Sequence, residues 1–289
     1  MRRQDVRIAY QGEPGAFSEA AARSIDAGAQ LVACRTFEEV FASVEGGPSG
    51  YGVLPIENSI GGSIHRNYDL LLEHHLPIVG EVELPVVHYL LALPGSSIAD
   101  LRRVYSHPQG LAQCERFLRT LTGVEIIATY DTAGSAKLVA DEHLTDAAAI
   151  ASARAGEVFG LTPLASSIQD YDDNITRFLV IGRRPLLNTV PDKTTIVFSL
   201  PNEPGSLFKA LSAFALRGVD LTKLESRPIP GRPWEYLFYA DLAAARDELI
   251  CARALAHLAE FAPTLRTLGS YTRWKARETR QPDPFEVVS

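Results

Sequence analysis

The sequence predicts an α/β protein in two parts, a larger α/β part followed by a small module of βαββαβ order. Three observations predict it. The chain has 289 residues, roughly twice the usual single-domain length, so two domains are expected. Short β-branched or apolar runs alternate with helix-period segments from the start, the pattern of α/β architecture. After Gly182 the pattern changes: Arg183, Arg184 and Pro185 read as a turn, Pro191 and Asp192 as a linker.

Strands are expected at residues 6–10, 31–35, 51–56, 103–105, 124–130, 147–151 and 175–181. Helix starts carry local signals. Thr36 with Glu39 makes a capping box, Pro108 suits a first helical turn, and Thr132 precedes an apolar-periodic stretch over 133–141. The remainder reads as strand 194–200, turn 201–204, helix 205–217, strands 220–227 and 236–242, helix 246–261 and strand 265–271. That order is the split βαβ unit of ferredoxin-like modules. The expected division is 1–184, a linker over 185–193, the module over 194–272 and a polar tail over 273–289.

Composition narrows the function classes. Acidic residues number 35 and basic residues 28, a net charge of −7. Without a Lys/Arg-rich block, nucleic-acid and membrane-surface binding are not expected, and any anionic ligand must be held by local geometry. Three dispersed cysteines, Cys34, Cys114 and Cys251, suit neither a disulfide framework nor a thiolate metal site, and point to a reducing cytoplasm. The first five residues run into a strand with no signal-type apolar region, and the longest apolar run, 84–93, is broken by Pro85 and His88 and too short to span a bilayer.

Ligands of open α/β sheets bind at the carboxyl ends of strands. Five such junctions are polar or glycine-rich: residues 10–15, 55–62, 106–109, 131–135 and 172–178. Neutral donors dominate them, which suits a small anion removed from water. Each also has a plain structural reading. Gly12, Gly15, Gly61 and Gly62 can supply turns, and Ser106, Asp131 and Thr132 can cap helices. Glu57, directly after Val53, Leu54, Pro55 and Ile56, is a carboxylate expected to be buried and to need partners. Alternation sends Thr176 and Phe178 to one face of their strand and Arg177 to the other. No dinucleotide or phosphate-loop motif is present, and the adjacent His74 and His75 point to different helix faces, so neither nucleotide nor metal is expected. Covalent catalysis by Ser106 beside His107, or by Cys114, is not favoured.

Taken together these stretches resemble prephenate dehydratase, over nearly the whole chain from Val6 to about Tyr271. The resemblance rests on Gly12, Pro14, Gly15, Phe17 and Ser18; on Pro55, Ile56, Glu57, Asn58 and Ser59; on Ser106, His107, Pro108 and Gln109 with Gln113 and Cys114; on Asp131, Thr132, Gly134 and Ser135; and on Asn174, Thr176, Arg177 and Phe178. Their order and spacing make it specific. The carboxyl-terminal module resembles an ACT domain, with Asn202, Glu203, Pro204, Gly205, Ser206 and Leu207, then Glu225, Ser226, Arg227 and Pro228, at its two amino-acid-binding motifs. Ser206 stands where alanine is commoner.

The resemblance implies a two-lobed, periplasmic-binding-protein-like catalytic domain and a ferredoxin-like ACT regulatory domain. It implies decarboxylative dehydration of prephenate to phenylpyruvate without metal or cofactor. Thr176 falls at the family's essential threonine and would donate to the departing hydroxyl; Asn58, Ser106 and Gln113 match active-site positions, and a buried Glu57 is the expected proton reservoir. Arg177 is the expected carboxylate partner, with Phe178, Ser59, Gly61, Thr132 and Ser135 around the substrate and His107 structural. Asn202, Pro204, Gly205, Ser206, Leu207, Glu225, Ser226, Arg227 and Pro228 would hold phenylalanine between ACT modules of two subunits, implying a homodimer or dimer-based tetramer. With no chorismate mutase helical domain upstream, a monofunctional enzyme is expected. Arogenate dehydratase and a non-enzymatic two-lobed anion-binding protein are the alternatives.

Overall fold

The computed structural model describes residues 6–186, 189–229 and 231–275. The expected tail beyond residue 275, the first five residues and two positions of the expected linker lie outside these. Strands β1 (Arg7–Gln11), β2 (Gln30–Cys34), β3 (Tyr51–Asn58), β4 (Gly62–Ser63) and β5 (Ile78–Pro85) are interleaved with helices α1 (Phe17–Ile25), α2 (Phe37–Glu45) and α3 (His65–Glu73). Then follow β6 (Tyr89–Ala92), β7 (Arg103–Ser106), α4 (Pro108–Gln113), α5 (Glu115–Leu118), β8 (Glu125–Ala128), α6 (Thr132–Asp141), β9 (Ala147–Ala151), α7 (Ala153–Phe159), β10 (Thr162–Ala165) and β11 (Ile175–Gly182). The last stretch holds β12 (Lys193–Ser199), α8 (Ser206–Ala215), β13 (Leu221–Ile229), β14 (Arg232–Leu242), α9 (Leu249–Ala259) and β15 (Thr264–Tyr271).

Two compact units result, residues 6–74 with 82–179, and residues 75–81 with 180–275. In the first unit the chain builds two sheets. One has the order β2-β1-β3-β11-β5, with β4 beside β3; the other runs β10-β6-β9-β7-β8. β1 lies parallel to both β2 and β3, and β7 parallel to both β8 and β9. The chain passes from the first sheet to the second between β5 and β6 and returns between β10 and β11.

β9 shows why the second sheet forms as it does. Its five residues are all buried. Ala147, Ala149 and Ala151 pack with Ala133, Ala136 and Val139 of α6, while Ala148 and Ile150 join Leu90, Val104 and Cys114 on the opposite face. A strand covered on both faces reads as a continuous apolar run. The expected helix signals take definite form. The Thr36 hydroxyl accepts the Glu39 N–H at 3.2 Å, but the Glu39 carboxylate takes the N–H of Arg35, so only half of the box closes at the cap residue. Asp131, not Thr132, caps α6 by accepting the Gly134 N–H at 2.9 Å. The apolar run over 84–93 holds the end of β5 and all of β6, two strands the sequence reading did not find, along with β4 and β10.

Gly15 needs to be glycine. Its φ is +91°, and a Cβ there would lie 2.6 Å from the Ala155 Cα, while Ser152 Oγ donates to its carbonyl at 2.6 Å. The loop after β1 thus rests directly on the start of α7.

The second unit carries a sheet of order β13-β14-β12-β15, antiparallel throughout, with α8 and α9 over a core that includes Ile196, Phe198, Phe214, Leu242 and Leu258. This is the expected βαββαβ arrangement. Two details differ from expectation. Lys193, placed in the linker, is the first residue of β12; it is buried and its ammonium lies 2.8 Å from Glu81 and 3.7 Å from Asp241. That bond, with Ile78 against Gly269 and Gly80 against Leu186, is why residues 75–81 belong to this unit. Pro228, expected to end its strand, lies inside β13, which runs on to Ile229. An edge strand tolerates a proline, and the register shifts immediately after it. Among the described residues no helix is long and apolar enough to cross a membrane.

Candidate active site

Where β3 and α4 end and β11 begins, three amides close a hydrogen-bonded ring. Asn58 Nδ2 donates to Asn174 Oδ1 at 2.7 Å, Asn174 Nδ2 donates to Gln113 Oε1 at 3.1 Å, and Gln113 Nε2 donates to Asn58 Oδ1 at 3.1 Å. The direction of this ring follows from the backbone. Asn58 Oδ1 also accepts the N–H groups of Ile60 and Gly61, at 3.1 and 2.7 Å. Backbone N–H groups can only donate, so the end of Asn58 that faces them is its oxygen. Its nitrogen then faces Thr176 and donates to Oγ1 at 3.0 Å. No acceptor for the Thr176 hydroxyl hydrogen is found among the described residues. All four side chains belong to residues no more than 8% exposed, where such bonds are electrostatically stronger than in water.

Around the ring, Ser59 clamps the return strand. Its hydroxyl donates to Asp173 O at 2.7 Å and accepts the Ile175 N–H at 2.9 Å. A Cβ on Gly61 would overlap the amide of Gln109, so this glycine lets Gln109 lie over the turn. Ser106 is fully buried and donates to Ile150 O at 2.7 Å. A Cβ on Gly110 would meet Ser106 Oγ at 2.8 Å, the Thr132 methyl at 3.3 Å and His88 Cε1 at 3.7 Å, so Ser106, Thr132 and His88 converge on that glycine.

Four expected site residues are placed otherwise. Ser135 donates to Asp131 O at 2.9 Å and also pairs with Thr129, so its hydroxyl serves the first turn of α6. Phe178 is 1% exposed and packs the interior. Glu57 was expected to be buried, yet its side chain is 36% exposed and lies 3.7 Å from Arg177. Alternation explains both partners: Glu57 precedes Asn58 on β3 and Arg177 follows Thr176 on β11, so this pair stands on the face opposite the amide ring. Glu57 therefore loses the burial on which a proton-reservoir role depended, and Arg177 stands beside it on that face. His107, expected to be structural, caps α4 by accepting the Gln109 N–H at 3.2 Å.

His88 was missed. It is 2% exposed, and its Nε2 lies 2.9 Å from Gln113 Oε1. Because that oxygen only accepts, Nε2 carries the hydrogen. Among the described residues Nδ1 is buried with no hydrogen-bond partner. Burial holds the His88 pKa below the ordinary histidine value, against the weaker opposing effect of the Gln113 bond. Asn174 and Gln109 complete the residues the sequence reading had not assigned to the site. Burial also pushes the Cys114 thiol up to about 12, leaving no thiolate there at neutral pH. Among the described residues no three His, Cys, Asp or Glu side chains are placed to hold a metal ion.

A buried neutral histidine has a consequence for stability. The unfolded chain binds a proton at His88 near the ordinary histidine pKa of about 6.5 and the folded chain binds it less readily, so stability rises with pH through that window. The contribution is fully present above about 6.5 and is lost as pH falls below it. Burial lowers His107 in the same direction, with Asp131 opposing. Urea unfolding midpoints should fall between pH 7 and pH 5, and the His88→Gln variant should lose less over that interval.

Comparison with known proteins bears on this geometry. The family model described as prephenate dehydratase matches residues 8–186, and the model of the ACT domain matches residues 194–249. The chain is 52% identical over 277 residues to arogenate dehydratase/prephenate dehydratase 2, chloroplastic, of Arabidopsis thaliana, covering 92% of this chain and 72% of that protein. Prephenate dehydratase from Arthrobacter aurescens, solved in complex with L-Phe, superposes with a TM-score of 0.84 at 32% identity, covering 93% of this chain and 90% of that one. The solved structure of GqqA, described as a novel type of quorum quenching acylase, gives a TM-score of 0.84 at 37% identity, covering 93% of this chain and 98% of that one. With the family model spanning residues 8–186 and a relative identical at 52% of 277 aligned residues, the chain belongs to the prephenate dehydratase family and carries an ACT domain behind the dehydratase part.

Proposed function

We propose that the chain converts prephenate to phenylpyruvate at the amide ring. The ring carboxylate of prephenate leaves as carbon dioxide; its bonding electrons pass into the ring and expel the C4 hydroxyl, which takes up one proton and departs as water. Aromatisation drives the reaction, so the protein has to orient the dianion, exclude water and assist the leaving hydroxyl. The observation that carries this reading is the direction of the Asn58–Thr176 bond. Because Thr176 Oγ1 accepts from Asn58, its own hydrogen is left to point at a substrate oxygen. Ser59, Gly61 and Thr132 are assigned to the substrate on the strength of their place around the ring, and Ser106 and Gln113 to its support.

Arogenate, the amino analogue, requires the same departure of carbon dioxide and water. Mixing the purified chain with prephenate and following phenylpyruvate by its absorbance tests the proposal, with arogenate assayed in parallel for phenylalanine. Phenylpyruvate at catalytic turnover is expected, and no product from prephenate would overturn the reading. Acyl transfer of the kind named for GqqA is less well served. Ser106 donates to a backbone carbonyl, Thr176 accepts from an amide, and the His88 Nε2–H is held by Gln113, so no hydroxyl of the cluster is paired with a histidine base.

For the ACT domain we infer feedback by phenylalanine within a homodimer or dimer-based tetramer. Gly205, in the left-handed region with φ +84°, precedes α8, and Asn202, Pro204 and Leu207 are exposed beside it with Ser206 at the helix start. Glu225, Ser226, Arg227 and Pro228 lie along the edge strand β13. Free helix amides suit an amino-acid carboxylate. Phenylalanine should inhibit with a coupling of about 1 to 3 kcal/mol; a flat activity response with no heat of binding by calorimetry would leave the domain an assembly platform. Three buried, unpaired cysteines support work in a reducing compartment such as the cytoplasm.

A further inference from the structure

We propose that His88 is a positioning residue for the dehydration: through its Nε2–H bond to Gln113 it locks the amide ring in the arrangement that leaves the Thr176 hydroxyl hydrogen for substrate. The proposal rests on the reading of Thr176 as the donor. Of the three ring amides, Asn58 is fixed by backbone groups, the N–H of Ile60 and Gly61 and the carbonyl of Ile175. Among the described residues Gln113 has no such anchor, and its side chain is held by Asn58, Asn174 and His88 alone. Without His88, Gln113 Oε1 keeps one donor of two, and the amide is free to leave the rotamer that hands Nε2 to Asn58.

His88 is itself placed to act as that anchor. Its backbone N–H donates to Gln169 Oε1 at 3.0 Å, its carbonyl accepts the Ile168 N–H at 3.1 Å, and the Phe17 ring meets the imidazole edge-on at a centroid distance of 5.5 Å. The bare Nδ1 argues against a mere packing role. A buried ring nitrogen without a partner is destabilising, and an apolar side chain would avoid it. What the imidazole supplies that an apolar residue lacks is the Nε2–H.

Two variants of the full chain and one measurement on the wild type test this. His88→Leu keeps much of the packing and removes the donor; kcat for prephenate should fall by about 10- to 100-fold with KM changed by less than about threefold, because the loss is one of alignment. His88→Gln reaches the same point with an amide N–H and should restore kcat to within about fivefold of wild type. Unchanged kcat in folded His88→Leu, or a His88→Gln variant that melts normally and is as slow as His88→Leu, overturns the proposal. Should the leucine variant not fold, the 15N shifts of histidine-labelled wild type decide: a protonated Nε2 and bare Nδ1 are expected, and the opposite tautomer overturns it. Failure of the underlying reading is distinguishable, since it shows as no phenylpyruvate from wild type while the tautomer measurement still reports on His88.

Discussion

Thr176→Val is expected to lower turnover of prephenate by about 10² to 10⁴ while leaving the protein folded, the range for losing one positioned donor. Valine matches threonine in shape, so the change removes a hydroxyl and little volume. Asn58 Nδ2 loses its acceptor at 3.0 Å but keeps Asn174 Oδ1 at 2.7 Å and Ile175 O at 3.3 Å. No amide hydrogen is stranded, and the cost in stability should be about 1 kcal/mol. The loss should fall in kcat, since the donated bond strengthens only as the hydroxyl departs. Thr176→Ser, which keeps the hydroxyl on a less restricted side chain, should retain most of the activity. Stopped-assay kcat and KM for the three proteins, with their melting temperatures, check each part; a folded valine variant with near-normal kcat removes Thr176 from the reaction.

The parts of this site that could be read from the chain are those governed by local rules. The carboxyl ends of β3 and β7 supplied Asn58 and Ser106, because open α/β sheets gather ligands at such ends, Thr176 at the start of β11 was marked by the family resemblance, and β9 was legible as five apolar residues in a row. What escaped depends on contacts across long separations. The ring joins residues up to 116 positions apart, and nothing local shows that Asn174, though part of a marked stretch, closes it or that His88 bonds to it. His88 was read only as an interruption of an apolar run, whereas it sits between β5 and β6 where the chain changes sheet. Glu57 shows the opposite error. The rule that a buried carboxylate needs partners kept Glu57 in the expected site, but its side chain is 36% exposed and strand alternation carries it, with Arg177 beside it, to the other face. Ser135 matched a family position and yet its hydroxyl closes the first turn of α6.

Asn58→Asp should be about as damaging as Thr176→Val, with a pH signature that the valine variant lacks. One carboxylate oxygen inherits the three donors that Asn58 Oδ1 now accepts, from Ile60, Gly61 and Gln113. The other replaces Nδ2 and faces Asn174 Oδ1, the Ile175 carbonyl and Thr176 Oγ1, three oxygens where there was a donor. Two of these repel it. The third, the Thr176 hydroxyl, can satisfy it only by turning its hydrogen inward, away from substrate. A single-atom change thus reverses the hydroxyl on which the leaving group depends, and kcat should fall by about 10³ at neutral pH, a loss within the span of oxyanion-type donors. Burial among acceptors disfavours charge, so the introduced carboxyl should hold its proton above the ordinary carboxylate range. Protonated, it again offers a hydrogen toward Thr176 and frees the threonine hydrogen for substrate. Turnover of Asn58→Asp should therefore rise as pH is lowered, where that of Thr176→Val stays flat. A pH–rate profile in which both variants run parallel would show that the direction of the Asn58–Thr176 bond does not control the chemistry.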